Sequence, residues 1–326
     1  VKIVAELTAE VEGSQTSTMP LEVSKTPYVP LSMLNLVFVR LDSQVTHILG
    51  DRNRKLLSPV LDDKGRGYQA DIPTSFSSIE EARNSLDYVW KGYSRVREQD
   101  QLLDEMGRSA SMLDFQFNVV RSVVLLRLQK WSRAFKNFFR CNPQDFDYLS
   151  QEHIHVMKLH HILIEIFLKI NLAVSNYEIF WDDYYVEFRS MLEHAAEVTK
   201  LSTKSSNNVL RPVFSLDMGI ILPLYLVAAK CRHPTLRRKS IALLKSTPRQ
   251  EGILNSWLVG RVLERMVEIE EKNFENIECA EHIPDWARLN GVAVTFDPEG
   301  RRAYLQYLRQ EHKESNMETI EELIEW

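Results

Sequence analysis

Cysteine, glycine and proline are in short supply in this sequence, and positive charge is outnumbered by negative. Its 326 residues hold three cysteines, Cys141, Cys231 and Cys279, too far apart for a zinc or dithiol pair and odd in number. That count disfavours a disulfide framework and points to a reducing compartment. Only 11 glycines and 12 prolines occur, which excludes collagen-like and low-complexity chains. The net charge of -5 removes any molecule-wide attraction to nucleic acid or to an acidic membrane. The longest apolar run, residues 218–229, contains Pro223 and is too short to span a bilayer, so no membrane partner is expected and the run reads as a buried core helix. The first twenty residues lack the charged start, apolar middle and small-residue exit of a signal peptide. They also lack an initiator Met, as expected of a chain that begins inside a longer gene product.

Enzyme signatures are equally sparse. There is no Walker loop, no G-x-S-x-G elbow, no H-E-x-x-H and no C-x-x-C. Gly65, Gly67 and Ala70 spell G-x-G-x-x-A, but no strand precedes them, and Ile72 and Pro73 stand where a helix should open. A loop is the better reading there than a dinucleotide site. No catalytic residue is assigned, and the chain is not expected to be an enzyme.

What the sequence has is hydrophobic content of 44%, charged content of 26% and a helical texture. Residues 31–49 place Leu34, Phe38, Leu41, Val45, Ile48 and Leu49 at steps of three and four, as a first amphipathic helix does. Ser78 and Glu81 form a capping box that opens a second helix, with Ala82, Leu86, Val89, Tyr93 and Val96 facing the core. A third helix over 114–140 is expected to bury Val119, Val123, Leu126, Trp131, Phe135 and Phe138. Further helices are predicted over 149–174, 176–200, 212–230, 234–245, 251–280 and 301–312, the last preceded by one short extended segment. The expected fold is all-α, an irregular array of antiparallel helical hairpins with about ten helices. An arm or linker over 1–30, a helical domain over 31–312 and an acidic tail over 313–326 complete the predicted organisation.

Charge is segregated near the middle of the chain. Residues 218–250 contain seven Lys or Arg and no Asp or Glu, whereas 264–281 contain seven Glu against two basic residues. The simplest reading is two successive helices that pack antiparallel and neutralise each other. The basic residues Lys230, Arg232, His233, Arg237, Arg238 and Arg249 are also the candidate interaction surface, for a phosphate or a protein partner. Tyr177, Trp181, Tyr184 and Phe188 recur at helical spacing and either pack in the core or, with Trp131 and Phe135, line an apolar ligand pocket. Four histidines, His153, His155, His160 and His161, crowd one helix without the i, i+4 spacing of a metal pair. His161 and Glu165 are four apart and join the pocket candidates.

Together FSLDMGI at 214–220, KCRHP at 230–234, Arg237 with Arg238, PRQEG at 248–252 and Glu270 with Glu271 resemble the fungal-specific regulatory domain that follows a six-cysteine binuclear zinc cluster. Upstream RLDSQ (40–44), SIEEARNSLDYVW (78–90), WSRAF (131–135) and KLHH (158–161) fit the same pattern, as do IPDWARL (283–289) and FDPEGRRAYLQYL (296–308) downstream. The resemblance implies a nuclear regulator of metabolic or biosynthetic gene clusters in filamentous fungi. It further implies protein partners, a homodimer among them, and a small-molecule effector. With three scattered cysteines the chain cannot itself carry the zinc cluster. No metal or other cofactor is therefore expected here, and DNA contact is expected only through an upstream module. Nuclear localisation follows if that module exists and cytoplasmic if it does not. The alternative is the same fold co-opted as a small-molecule-binding protein or an enzyme of secondary metabolism.

Overall fold

The computed structural model of this chain describes residues 71–105, 111–142, 146–170, 178–205, 213–215, 217–246, 248–297 and 301–326. The predicted arm, the first predicted helix, the glycine-containing loop and Tyr177 lie outside these residues. Among the described residues there are seven α-helices and six strands in two three-stranded sheets. The expected all-α array of about ten helices is therefore corrected to a helical layer completed by two sheets.

The helices begin where local chemistry satisfies their orphan N–H groups. Helix α1 (Ile79–Glu105) opens after Ser78, whose Oγ accepts from the Glu81 N–H at 3.1 Å, while Glu81 reaches back to the Ser77 N–H at 2.7 Å. Helix α2 (Ser111–Cys141) packs on α1, and α3 (Tyr148–Lys169), capped by Asp147, packs on both. Val124, Leu128, Trp131, Phe135 and Phe138 form the buried stripe of α2, at steps of four, three, four and three. Val119, Val123 and Leu126 are exposed, contrary to expectation. Leu126 and Trp131 are five apart, a step no single helical face accommodates, so Trp131, Phe135 and Phe138 share their face with Val124 and Leu128 and not with Val119, Val123 and Leu126.

The predicted helix over 176–200 is divided into a 3₁₀ segment, Glu178–Tyr184, and α4 (Tyr185–Ser205). The predicted helix over 212–230 begins instead as strand β1 (Val213–Ser215), and only α5 (Ile221–Lys230) is helical. Helix α6 (Pro234–Ser246) follows with proline in its first turn. Residues 249–255 then form β2 (Arg249–Glu251) and β3 (Leu254–Asn255), with β1 parallel and β3 antiparallel to β2. Gly252, at φ 55°, makes the turn between them, a conformation that glycine adopts without steric cost. Asn255 caps α7 (Ser256–Glu271) by accepting from the Trp257 and Leu258 N–H groups at 3.1 Å each.

The C-terminal part departs most from expectation. Strands β4 (Asn290–Asp297), β5 (Arg302–Gln310) and β6 (Met317–Glu325) form an antiparallel meander, so residues 301–312 are not a helix. On β5, Ala303, Leu305 and Tyr307 are buried at every second position, which is the period of a strand. The stretch expected to be an acidic tail supplies β6. There Glu322 accepts from Arg265 of α7 at 2.8 Å and from the Tyr307 hydroxyl at 2.7 Å.

Candidate functional site

The basic helix and the acidic helix meet as the charge segregation predicts. Helix α6 lies antiparallel to α7, with Arg237 paired to Glu270, Arg238 to Glu271 and Lys245 to Glu264. The centre of this contact is sealed from water, since Arg232, Arg237 and Glu270 are each 0% exposed. Glu270 receives Arg232 Nη2 at 2.9 Å, Arg237 Nη2 at 2.7 Å and the Leu289 N–H at 2.8 Å. Burial opposes its ionisation, but the two guanidinium groups outweigh burial and hold the carboxyl down at about 2. Glu178 is a second anion in the seam, with Lys230 Nζ at 2.6 Å and Arg232 Nη1 at 2.9 Å. Burial again works against its charge, and these two cations again win, so its pKa falls below the ordinary carboxylate range. Arg288 extends the network by forking onto Asp182 at 2.9 and 2.6 Å and donating to the Glu178 carbonyl at 3.1 Å.

The candidate interaction residues are thus distributed unevenly. Arg232 and Arg237 are enclosed and offer no surface, and Arg249 is buried beside Glu251 at 3.5 Å. Lys230 lies under partial cover with its ammonium 5.3 Å above the Trp181 ring, and His233 packs on Tyr185. Arg238 alone among the six is more than half exposed, and it is paired with Glu271. Sequence pattern located the basic cluster and its acidic neighbour. It gave no sign of Glu178, Asp182 and Arg288, whose partners lie up to 110 residues away.

A different carboxylate governs the entry to α5. Glu251, fully buried on β2, accepts from the N–H groups of Gly219, Ile220 and Ile221 at 3.0, 2.9 and 3.0 Å. Burial pushes its pKa up, while Arg249 and the three amides oppose that shift. A Cβ on Gly219 would stand 2.3 Å from Glu251 Oε1, so only glycine permits this approach.

The ligand-pocket candidates separate into two places. Trp131 is buried between Phe135 and His161, at ring separations of 4.6 and 5.6 Å, and donates its indole N–H to the Ala82 carbonyl at 2.8 Å. His161 Nδ1 is 3.9 Å from Glu165, too long for a hydrogen bond, and Lys169 pairs with Glu165 at 2.8 Å. Trp181 of the 3₁₀ segment stacks on Phe188 of α4 at 6.4 Å, with Tyr184 partly buried against the core. Cavities of about 430 and 200 Å³ among the described residues are lined by other side chains. Of the histidines, His160 bonds the Gly219 carbonyl at 2.9 Å, and His155 Nδ1 meets His194 Nδ1 at 3.1 Å. Among the described residues no three His, Cys, Asp or Glu side chains converge to hold a metal ion. The three cysteines are free thiols, Cys141 exposed, Cys231 buried and Cys279 between the two. No described helix is long and apolar enough to cross a membrane.

No family model and no solved structure matches this chain. Over 119 residues it is 34% identical to the aspercryptin biosynthesis cluster-specific transcription regulator atnN of Emericella nidulans. That similarity covers 35% of this chain and 18% of the relative's length, so the matched stretch spans only a small part of the regulator.

Proposed function

We propose that this chain is a regulatory and interaction domain of a fungal transcription regulator that acts on a biosynthetic gene cluster. The observation that carries this reading is the 34% identity to a cluster-specific regulator. The inward turn of Arg232, Arg237 and Arg249 supports it, because a domain that gripped DNA phosphates would hold such residues outward. In this reading the domain works in the nucleus, carries out no chemistry of its own and contacts protein partners, and another part of the regulator contacts DNA.

Fusing the chain to an unrelated DNA-binding domain tests the proposal. Transcription of a reporter bearing that domain's operator should change several-fold, and a fusion that leaves the reporter at the level of the bare DNA-binding domain would count against it. The unfused chain should show no sequence preference for duplex DNA in fluorescence anisotropy. A specific Kd of roughly 10⁻⁸ to 10⁻¹¹ M would refute the assignment of DNA contact elsewhere.

A further inference from the structure

We propose that the paired imidazoles of His155 and His194 form a divalent transition-metal site that staples α3 to α4, with water completing the coordination. The two Nδ1 atoms face each other across the helix contact at 3.1 Å, with ring centroids 5.1 Å apart and planes at 63°. Nitrogens about 2.05 Å from one metal ion stand about 2.9 Å apart at the right angle of a tetragonal site and about 3.3 Å apart at the tetrahedral angle. The observed separation lies between these two values, within the bite of a cis pair. Spacing within α3 offered no metal pair; the second ligand comes from α4, 39 residues further on.

Packing fixes the separation. Ile154 beside His155 and Ala195 beside His194 are buried in the core, so the rings are brought together by contacts that neither ring supplies. Both rings are half-buried, which leaves a solvent side for water ligands. Burial, and then the Lys158 ammonium, lower both pKa values, that of His194 to about 4, so at neutral pH both rings are in the uncharged form that ligates. Without metal, one Nδ1–H donates to the other Nδ1. To bind, the donor ring moves its proton to Nε2, so the pair changes tautomer and releases no proton. Lys158 repels a dication here, and the charges of Glu197 near His155 and Glu193 near His194 offset it. Those carboxylates are themselves committed, Glu193 to Arg189 at 3.0 Å and Glu197 to Lys200 at 3.1 Å. Two nitrogens without a third protein ligand make an exchangeable site and not a closed structural one, and imidazole nitrogens take copper most tightly among the divalent ions.

The staple would operate whether or not the chain is a regulator: it fails in a metal titration, and the regulatory reading fails in the reporter assay. Isothermal titration of the whole chain with Cu²⁺ should give a Kd of roughly 10 μM or tighter, and Zn²⁺ should compete for the same site more weakly. Pulsed EPR of the copper complex should count two imidazole ligands. His155→Gln and His194→Gln each keep a hydrogen-bonding side chain beside the remaining ring. Either should weaken Cu²⁺ by at least about tenfold and reduce the count to one, whereas His312→Gln, at an exposed position, should change neither. Where one variant does not fold the other decides, and where neither folds the imidazole count of the unaltered chain decides. A single imidazole on copper, no binding up to roughly 1 mM, or affinity untouched by both substitutions would each overturn the proposal and leave the pair as a plain hydrogen bond between helices.

Discussion

The contact between α6 and α7 has an inner and an outer edge built from the same residue types. On the inner edge Arg237 and Glu270 are closed off from water and tied to Arg232 and to the Leu289 amide. On the outer edge Arg238 with Glu271 and Lys245 with Glu264 retain access to solvent. Consecutive arginines thus meet consecutive glutamates, and only depth distinguishes the pairs. Depth changes what each pair does: the outer ones add little net stability, while the inner ones make the loss of either partner costly, because a buried charge would be stranded.

The sharpest attempt to break this distinction is Glu270→Ala. It strands two buried guanidinium groups, and chemical denaturation should show a loss of about 3–5 kcal/mol. A loss under about 1 kcal/mol would place the inner edge on a par with the outer one. Acid offers a second approach. The folded-state pKa of Glu270 is depressed to about 2 from an ordinary 4.5, so its stabilisation is present above pH 4.5 and is lost as pH falls toward 2. The expected decline is about 3 kcal/mol over that window, and it should be missing from Glu270→Ala when stability is followed against pH. Arg265, which is partly exposed and bonds both Glu322 and Glu268, lies between the two extremes. Arg265→Ala should cost about 1 kcal/mol in the same denaturation assay. Arg238→Ala should cost least, at most about 0.5 kcal/mol, and added salt should erase the difference from wild type. A salt-insensitive loss would move Arg238 to the inner class.

Legibility in the sequence followed the range of the forces involved. The Ser78 and Glu81 cap, the proline-led start of α6 and the charge match of α6 with α7 are local or near-local, and each could be read from residue order. Tyr304, Leu305, Tyr307 and Leu308 satisfy a helical spacing, while Ala303, Leu305 and Tyr307 satisfy that of a strand. Pairing with β4 and β6, which no local pattern reveals, settles them as β5. Short strands such as β1 fall to the same difficulty, since Val213–Ser215 exists by virtue of its pairing with Arg249–Glu251. For the site, sequence located the basic residues but not their depth, because depth depends on Glu178, Asp182 and Arg288 arriving from distant segments. The aromatic positions were visible as apolar. Their division into a Trp131 group and a Trp181 group is a property of helix packing alone.

Glu270 also has a mechanical meaning. Its two oxygens are shared among Arg232 in the link between α5 and α6, Arg237 within α6 and the backbone of Leu289 at the threshold of β4. A single side chain therefore acts as a rivet through three elements. The C-terminal meander cannot turn against the helices without tearing an amide from a buried anion, so a push delivered to the sheet is transmitted to the α5–α6 corner instead of being absorbed by a hinge.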